Sequence, residues 1–193
     1  DGAFGGTGAF QIGAIENAGN FIYNIARESN GADPDQLFLT VTPNTTPPPD
    51  DAWWKGDLAG AAAGSWGAVQ LGGNSNWDTS QSGGVDAMVP PGSNSHVHFS
   101  ADGAGNYATQ LLQDLTIKAL TFHGNSGANG VSIGGTGILT IGNGTDVPSL
   151  LVESGGNDLV TISTPLALGA SQSWNIQDAS SVLAVSGSLG GTG

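Results

Sequence analysis

Gly134-Gly135-Thr136-Gly137-Ile138-Leu139-Thr140-Ile141-Gly142 is the stretch whose reading decides the fold. It sets a glycine-rich corner directly before a short β-branched strand. Gly5-Gly6-Thr7-Gly8-Ala9-Phe10-Gln11-Ile12-Gly13 opens with the same four residues and closes on the same Ile-Gly. Gly190-Gly191-Thr192-Gly193 carries the tetrapeptide a third time. The wider segments Gly2–Gly8 and Gly187–Gly193 match at an offset of 185 residues, from position 2 to position 187. Self-similarity at a fixed spacing marks a solenoid or a tandem array. The expectation is one period of an array, cut at a repeat boundary.

Around that stretch, residues 115–193 read as strands of three to eight residues separated by Gly, Asn, Ser and Asp turns. The predicted strands are Leu115–Phe122, Val131–Ile133, Ile138–Ile141, Leu150–Glu153, Leu159–Ser163, Pro165–Leu168, Ser173–Gln177 and Val182–Ser186. In the first, polar Thr116, Lys118 and Thr121 stand against Leu115, Ile117, Leu120 and Phe122, close to the period of two of a half-buried strand. Short strands about every ten residues fit a sandwich, a barrel or a β-solenoid. The returning glycine corners favour the solenoid, because a residue without Cβ lets one rung lie close on the next.

Towards the N-terminus, Ala9–Ile12, Phe21–Ile25 and Leu37–Thr42 are strand candidates, the last rich in β-formers. Pro43-Asn44-Thr45-Thr46-Pro47-Pro48-Pro49-Asp50-Asp51 follows. Three successive prolines favour an extended, semi-rigid spacer that supplies no backbone donors. The predicted organisation is a smaller N-terminal β segment at 1–43, the tail of a preceding repeat. A Pro-rich linker at 44–51 follows, then a solenoid repeat at 52–193 with a Trp-rich cap at 52–114.

Composition excludes several functions. The 193 residues include 33 Gly, 3 Lys plus Arg, 16 Asp plus Glu and no Cys, for a formal net charge of −13. Three cations cannot neutralise many phosphates, so nucleic-acid binding is excluded in practice. Attraction to an anionic membrane surface fails for the same reason. Disulfide and thiolate-metal chemistry need Cys. No run of about 20 apolar residues is present, so no helix inserts directly into a membrane.

The segments Trp53-Trp54-Lys55-Gly56-Asp57, Trp66, Asn74-Ser75-Asn76-Trp77-Asp78, Val97-His98-Phe99 and Leu115–Phe122 together resemble the opening of a bacterial autotransporter-associated β-strand repeat. Ile133–Ile141 resembles that family's "I-x-G-x-G-x-L-T-I" strand. Thr161–Gly169 with Gln172 and Trp174 resembles its "T-I-S-x-P-L-x-L-G…Q-x-W" stretch, and Leu183–Gly193 its "L-x-V-S-G-x-L-x-G-x-G" closure. The resemblance covers roughly residues 52–193 and departs at the end, where the family's following "L-T-K-x-G-x-G-x-L-x-L" rung is missing. It implies an all-β chain, a right-handed parallel β-helix, in a large exported protein at a bacterial cell surface or outside the cell.

Candidate chemistry is sparse. Asp50-Asp51 and Asp33-x-Asp35 are the only close acid pairs, and both lie in turn or linker sequence, where Asp serves turns and solubility. His96-x-His98 puts two imidazoles on one face of a strand, with His123 a third candidate; two assured ligands fall short of a metal site, so exposed strand histidines are expected. No nucleophile or phosphate-loop signature is present. The expected function is therefore a non-enzymatic structural module without cofactor or metal. Its partner is itself, in neighbouring repeats or subunits joined end to end into a fibre or array. The residues expected to carry assembly are Gly5, Gly6, Thr7, Gly8, Gly190, Gly191, Thr192 and Gly193 at the matching ends. Pro47, Pro48 and Pro49 form the crossover, and Trp53, Trp54, Trp66 and Trp77 the cap. The alternative is a carbohydrate-binding or adhesin module that stacks surface glycans on the Trp-rich segment.

Overall fold

The computed structural model describes residues 21–27, 37–124, 130–142, 149–155 and 159–191. The expected strand Ala9–Ile12 lies outside them. The chain is nearly all β. Its regular part is a parallel β-solenoid of about three turns.

An antiparallel hairpin comes first. Strands β1 (Phe21–Arg27) and β2 (Leu37–Pro43) pair from Phe21 opposite Pro43 to Arg27 opposite Leu37. Every residue of β2 is exposed, including Leu37, Phe38, Leu39 and Val41. An isolated two-stranded hairpin is marginal in water, and this one offers an apolar strand to any neighbour.

The solenoid strands are β3 (Asp51–Trp54), β4 (Trp77–Asp78), β5 (His96–Phe99), β6 (Ala108–Gln110), β7 (Leu115–Ile117), β8 (Ala119–Phe122), β9 (Val131–Gly134) and β10 (Leu139–Ile141). They continue as β11 (Leu150–Val152), β12 (Leu159–Ile162), β13 (Leu166–Leu168), β14 (Trp174–Ile176), β15 (Val182–Val185) and β16 (Leu189–Gly191). Three sheets form, in the orders β16-β13-β10-β7, β14-β11-β8-β5-β3-β4 and β15-β12-β9-β6. From β5 onward each successive strand moves to the next sheet, so the chain winds and every third strand stacks in parallel.

The register explains why this sequence winds. Leu115, Leu139, Leu166 and Leu189 are stacked partners in the first sheet. Val97, Leu120, Leu150 and Trp174 stack in the second. Val131, Val160 and Leu183 stack in the third. Each column points inward, and Ile117, Leu120, Phe122, Ile133, Leu139, Ile141, Leu150, Val152, Val160 and Ile162 are completely buried. The helical winding thus turns separate alternating strands into continuous apolar columns, and burial is the driving force.

Leu115–Phe122, expected as one strand, is two strands on different sheets. Apolar residues at 115 and 117 give way to 120 and 122, and that slip in the period of two is the corner. Lys118 occupies it and donates its N–H to Ser95 O at 2.9 Å. The glycine reading holds at the next corner. A Cβ on Gly137 would stand 2.1 Å from Gln113 O on the coil below, a separation no side chain tolerates. The repeating object is nevertheless the coil and not the tetrapeptide. Gly134–Gly137 leads from β9 into the corner before β10, whereas Gly190 and Gly191 lie within β16. Gly5, Gly6, Thr7, Gly8, Thr192 and Gly193 lie outside the described residues.

Candidate functional site

The two ends of the solenoid differ. At the first coil, Trp54, Trp66 and Trp77 are completely or almost completely buried around Phe99. Trp54 and Trp66 each meet Trp77 edge-on, at 5.0 and 5.1 Å between ring centroids, the favoured arrangement of ring quadrupoles. Every indole N–H has an acceptor: Gly105 O at 2.9 Å for Trp54, Thr109 Oγ1 at 2.9 Å for Trp66, and Trp66 O at 3.0 Å for Trp77. Strand β4 runs antiparallel to β3 and ends the parallel ladder there. Buried Asn76 donates to Ala62 O and Ser65 O and accepts from Leu58 N, tying the loop over the end.

Pro47, Pro48 and Pro49 sit beside this end. Asn44 Nδ2 donates to Met88 O at 3.2 Å, and Ser95 Oγ donates to Pro49 O at 2.5 Å. The proline run is therefore tied to the loop before β5. At the opposite end, β14, β15 and β16 are the outermost strands of their sheets. Leu189 is 58% exposed, Val182 51% and Ile176 44%.

Trp53 points away from the core. Outward positions on the middle sheet stack in register: Asp51 beside His96, and Trp53 beside His98 and Thr121. One residue beyond β8 and β11, His123 and Glu153 continue that outer face. The outcome is a chain of ring and carboxylate contacts. Asp51 Oδ1 lies 3.1 Å from His98 Nε2, His98 Nδ1 lies 3.0 Å from His123 Nε2, and His123 Nδ1 lies 2.9 Å from Glu153 Oε2. His96 Nε2 lies 2.8 Å from Thr121 Oγ1. The rings are stacked: Trp53 on His98 at 4.2 Å and on His123 at 4.8 Å, and His96 on His98 at 4.1 Å.

These contacts bury His98, which corrects the expectation of exposed strand histidines for that ring; His96 and His123 are half-buried. Burial, reinforced by His96 and His123, pushes the His98 pKa down to about 4, against the opposing pull of Asp51. His98 is a neutral imidazole at neutral pH. The chain from Asp51 to Glu153 has three contacts but only two rings. A neutral His98 carries one N–H, which it donates either to Asp51 through Nε2 or to His123 through Nδ1. All three histidines of the sequence meet here, together with two carboxylates. Sequence reading placed His96 and His98 on one face but missed Asp51 and Glu153. Their separations along the chain follow uneven coil lengths that only the register reveals.

The cap also carries two carboxylates with raised pKa values. Burial raises Asp86, although Met88 N (2.6 Å), Ser75 N (2.9 Å) and Ser75 Oγ (2.9 Å) donate to it. Burial raises Asp78 too, opposed chiefly by Lys55 at 4.0 Å. Three donors occupy Asp86 in holding the 75–88 turn, which gives it a structural task.

No protein-family model, no curated protein and no solved structure matches the chain.

Proposed function

We propose that the chain is a non-enzymatic structural module of an extracellular, repetitive β-solenoid protein, and that it assembles end to end with further copies of itself. The observation that supports this reading is the difference between the ends. One end is sealed by indoles and an antiparallel strand; among the described residues, the other leaves three strand edges and the ends of the inward apolar columns at Leu189 and Ile176 exposed, with Val182 exposed on the outer face of the last strand edge. Exposed strand edges template further pairing. The hairpin β1–β2 supplies a complementary surface, because its apolar strand β2 is fully exposed in the same molecule. The resemblance of residues 52–193 to autotransporter-associated repeats supports a place at a bacterial surface. A net charge of −13 keeps the flanks of such rods apart while their ends join.

The glycan reading has less behind it. Trp54, Trp66 and Trp77 offer no exposed ring face to a sugar, and Trp53 is engaged with the histidines.

Analytical ultracentrifugation over a concentration series tests the assembly. The wild-type chain is expected to form concentration-dependent oligomers, and the Val182→Lys/Leu189→Lys variant to sediment as a monomer. Because both side chains are more than half exposed, the variant keeps its stability within about 0.5 kcal/mol. A wild-type chain that stays monomeric at every concentration, or a variant that assembles equally well, refutes the proposal.

A further inference from the structure

We infer that Asp51, His96 and His98 form a binding site for one divalent transition-metal ion of the zinc class. The three residues each present a ligand atom, and those atoms lie within 4.8 Å of one another. The Asp51 Oδ1 to His98 Nε2 separation of 3.1 Å is already close to the roughly 3.3 Å between two donors on one tetrahedral zinc. Gathering the set onto one ion brings atoms at most 4.8 Å apart to about 3.3 Å, and the Asp51 side chain, 61% exposed, has room to adjust.

The surroundings favour a metal over a chance cluster. A good metal-binding imidazole gives its second ring N–H to a carboxylate or another acceptor, which fixes the tautomer and raises basicity. Here that outer support extends over two coils. With an ion held at His98 Nε2, His98 Nδ1 would donate to His123 Nε2, 3.0 Å away, and His123 Nδ1 to Glu153 Oε2, 2.9 Å away. His96 Nε2 lies 2.8 Å from Thr121 Oγ1, a contact that orients the ring on the ladder beside Asp51. Trp53 stacked on His98 and His123 holds both rings in plane. All the supporting residues sit on, or directly beside, one parallel ladder, so their spacing is set by the sheet and not by loops. Two imidazoles and one carboxylate select zinc, copper(II), nickel or cobalt over calcium and magnesium, which prefer all-oxygen shells. Three protein ligands leave a fourth position for water.

The test uses the full 193-residue chain without an affinity tag, titrated with Co2+ and followed by visible absorption, then with Zn2+ by calorimetry. The wild type is expected to bind one equivalent with the intense absorption of tetrahedral Co2+. Asp51→Asn and His96→Gln are each expected to weaken binding at least 10-fold. Glu153→Gln, which reaches the ion only through His123 and His98, is expected to weaken it about 10-fold. Asp51 is exposed, so its variant keeps the fold, and a urea transition on each protein confirms that comparison. Absence of stoichiometric binding by the wild type overturns the inference. So does equal binding by folded Asp51→Asn and His96→Gln.

Discussion

The first coil and the last coil are built from the same element, a short strand stacked in parallel on its neighbour, yet they are finished in different ways. The first coil closes with three buried indoles, an antiparallel strand and a satisfied Asn76, and its outer face carries a stacked row of Trp53 and histidines. The last coil closes with nothing among the described residues: Trp174 is half-buried, and Ile176, Val182 and Leu189 are exposed. A repeated backbone ladder therefore does not impose uniform stability. Each coil gains apolar burial from both neighbours, and a terminal coil has only one unless a cap replaces the other. The capped end spends large aromatic side chains on that replacement, and no described residue does so at the open end.

The sharpest way to break this comparison is to remove a cap residue and its counterpart. Trp77→Ala deletes a fully buried ring that touches Trp54, Trp66 and Phe99 and leaves a cavity at the end of the core. The expected loss is about 3–5 kcal/mol. Ile176→Ala, at the same sheet's open edge, is expected to cost about 0.5 kcal/mol or less in the monomer. Urea denaturation of the two variants at low protein concentration reads the difference, and equal losses would show that the ends are not distinct.

A second pair compares glycines. Gly137 is pressed against the coil below, with Gln113 O where a Cβ would stand, whereas Gly190 has nothing within 4 Å of that point. Gly137→Ala forces the two coils apart and is expected to cost about 1–3 kcal/mol. Gly190→Ala is expected to be neutral or to stabilise by about 0.5 kcal/mol through the unfolded chain. Thermal melts of both variants check the pair. If Gly190→Ala is as damaging as Gly137→Ala in the monomer, the final coil is more tightly packed than its exposure shows.

How much of this was legible follows from particular residues. The columns at 115, 139, 166 and 189 recur at 24, 27 and 23 residues, and alternation within each strand was readable, so the solenoid could be inferred. The corner at Lys118 was also written in the sequence, as a slip of phase between Ile117 and Leu120, but it passed as continuous alternation. Strands β3, β4 and β6 were beyond reach, because two to four residues carry no periodicity and their partners define them. The histidine row was half legible. His96 and His98 share a face by spacing alone. His123 and Glu153 join them only because one coil takes 23 residues and the next 30, with His123 two residues past the ladder partner of His98, and no rule of composition fixes those lengths.

The last comparison concerns acid. Among the described residues, titratable groups with shifted pKa values are concentrated in the first coils: His98, Asp78 and Asp86, against the exposed Asp178 near the open end. His98 has a folded pKa of about 4 against an ordinary 6.5. As pH falls between those values the unfolded chain takes up a proton that the folded chain refuses, so stability is lost with acidification across that window. Partial solvent access to the ring row reduces the effect to about 2 kcal/mol. Asp78 and Asp86 act in the opposite sense. Their raised folded pKa values favour protonation in the native state, so acidification from their raised pKa values down to the unfolded 3.8 stabilises the cap. The difference in unfolding free energy between wild type and His98→Gln isolates the first term, since both proteins retain the two carboxylates. It is expected to shrink in favour of the variant by about 2 kcal/mol between pH 7.5 and pH 4.5. Hydrogen exchange should place the acid-labile amides in β3, β5 and β8 rather than in β14 to β16. A pH-independent difference would mean that His98 takes up its proton equally in the folded and the unfolded chain and that the ring row is open to water.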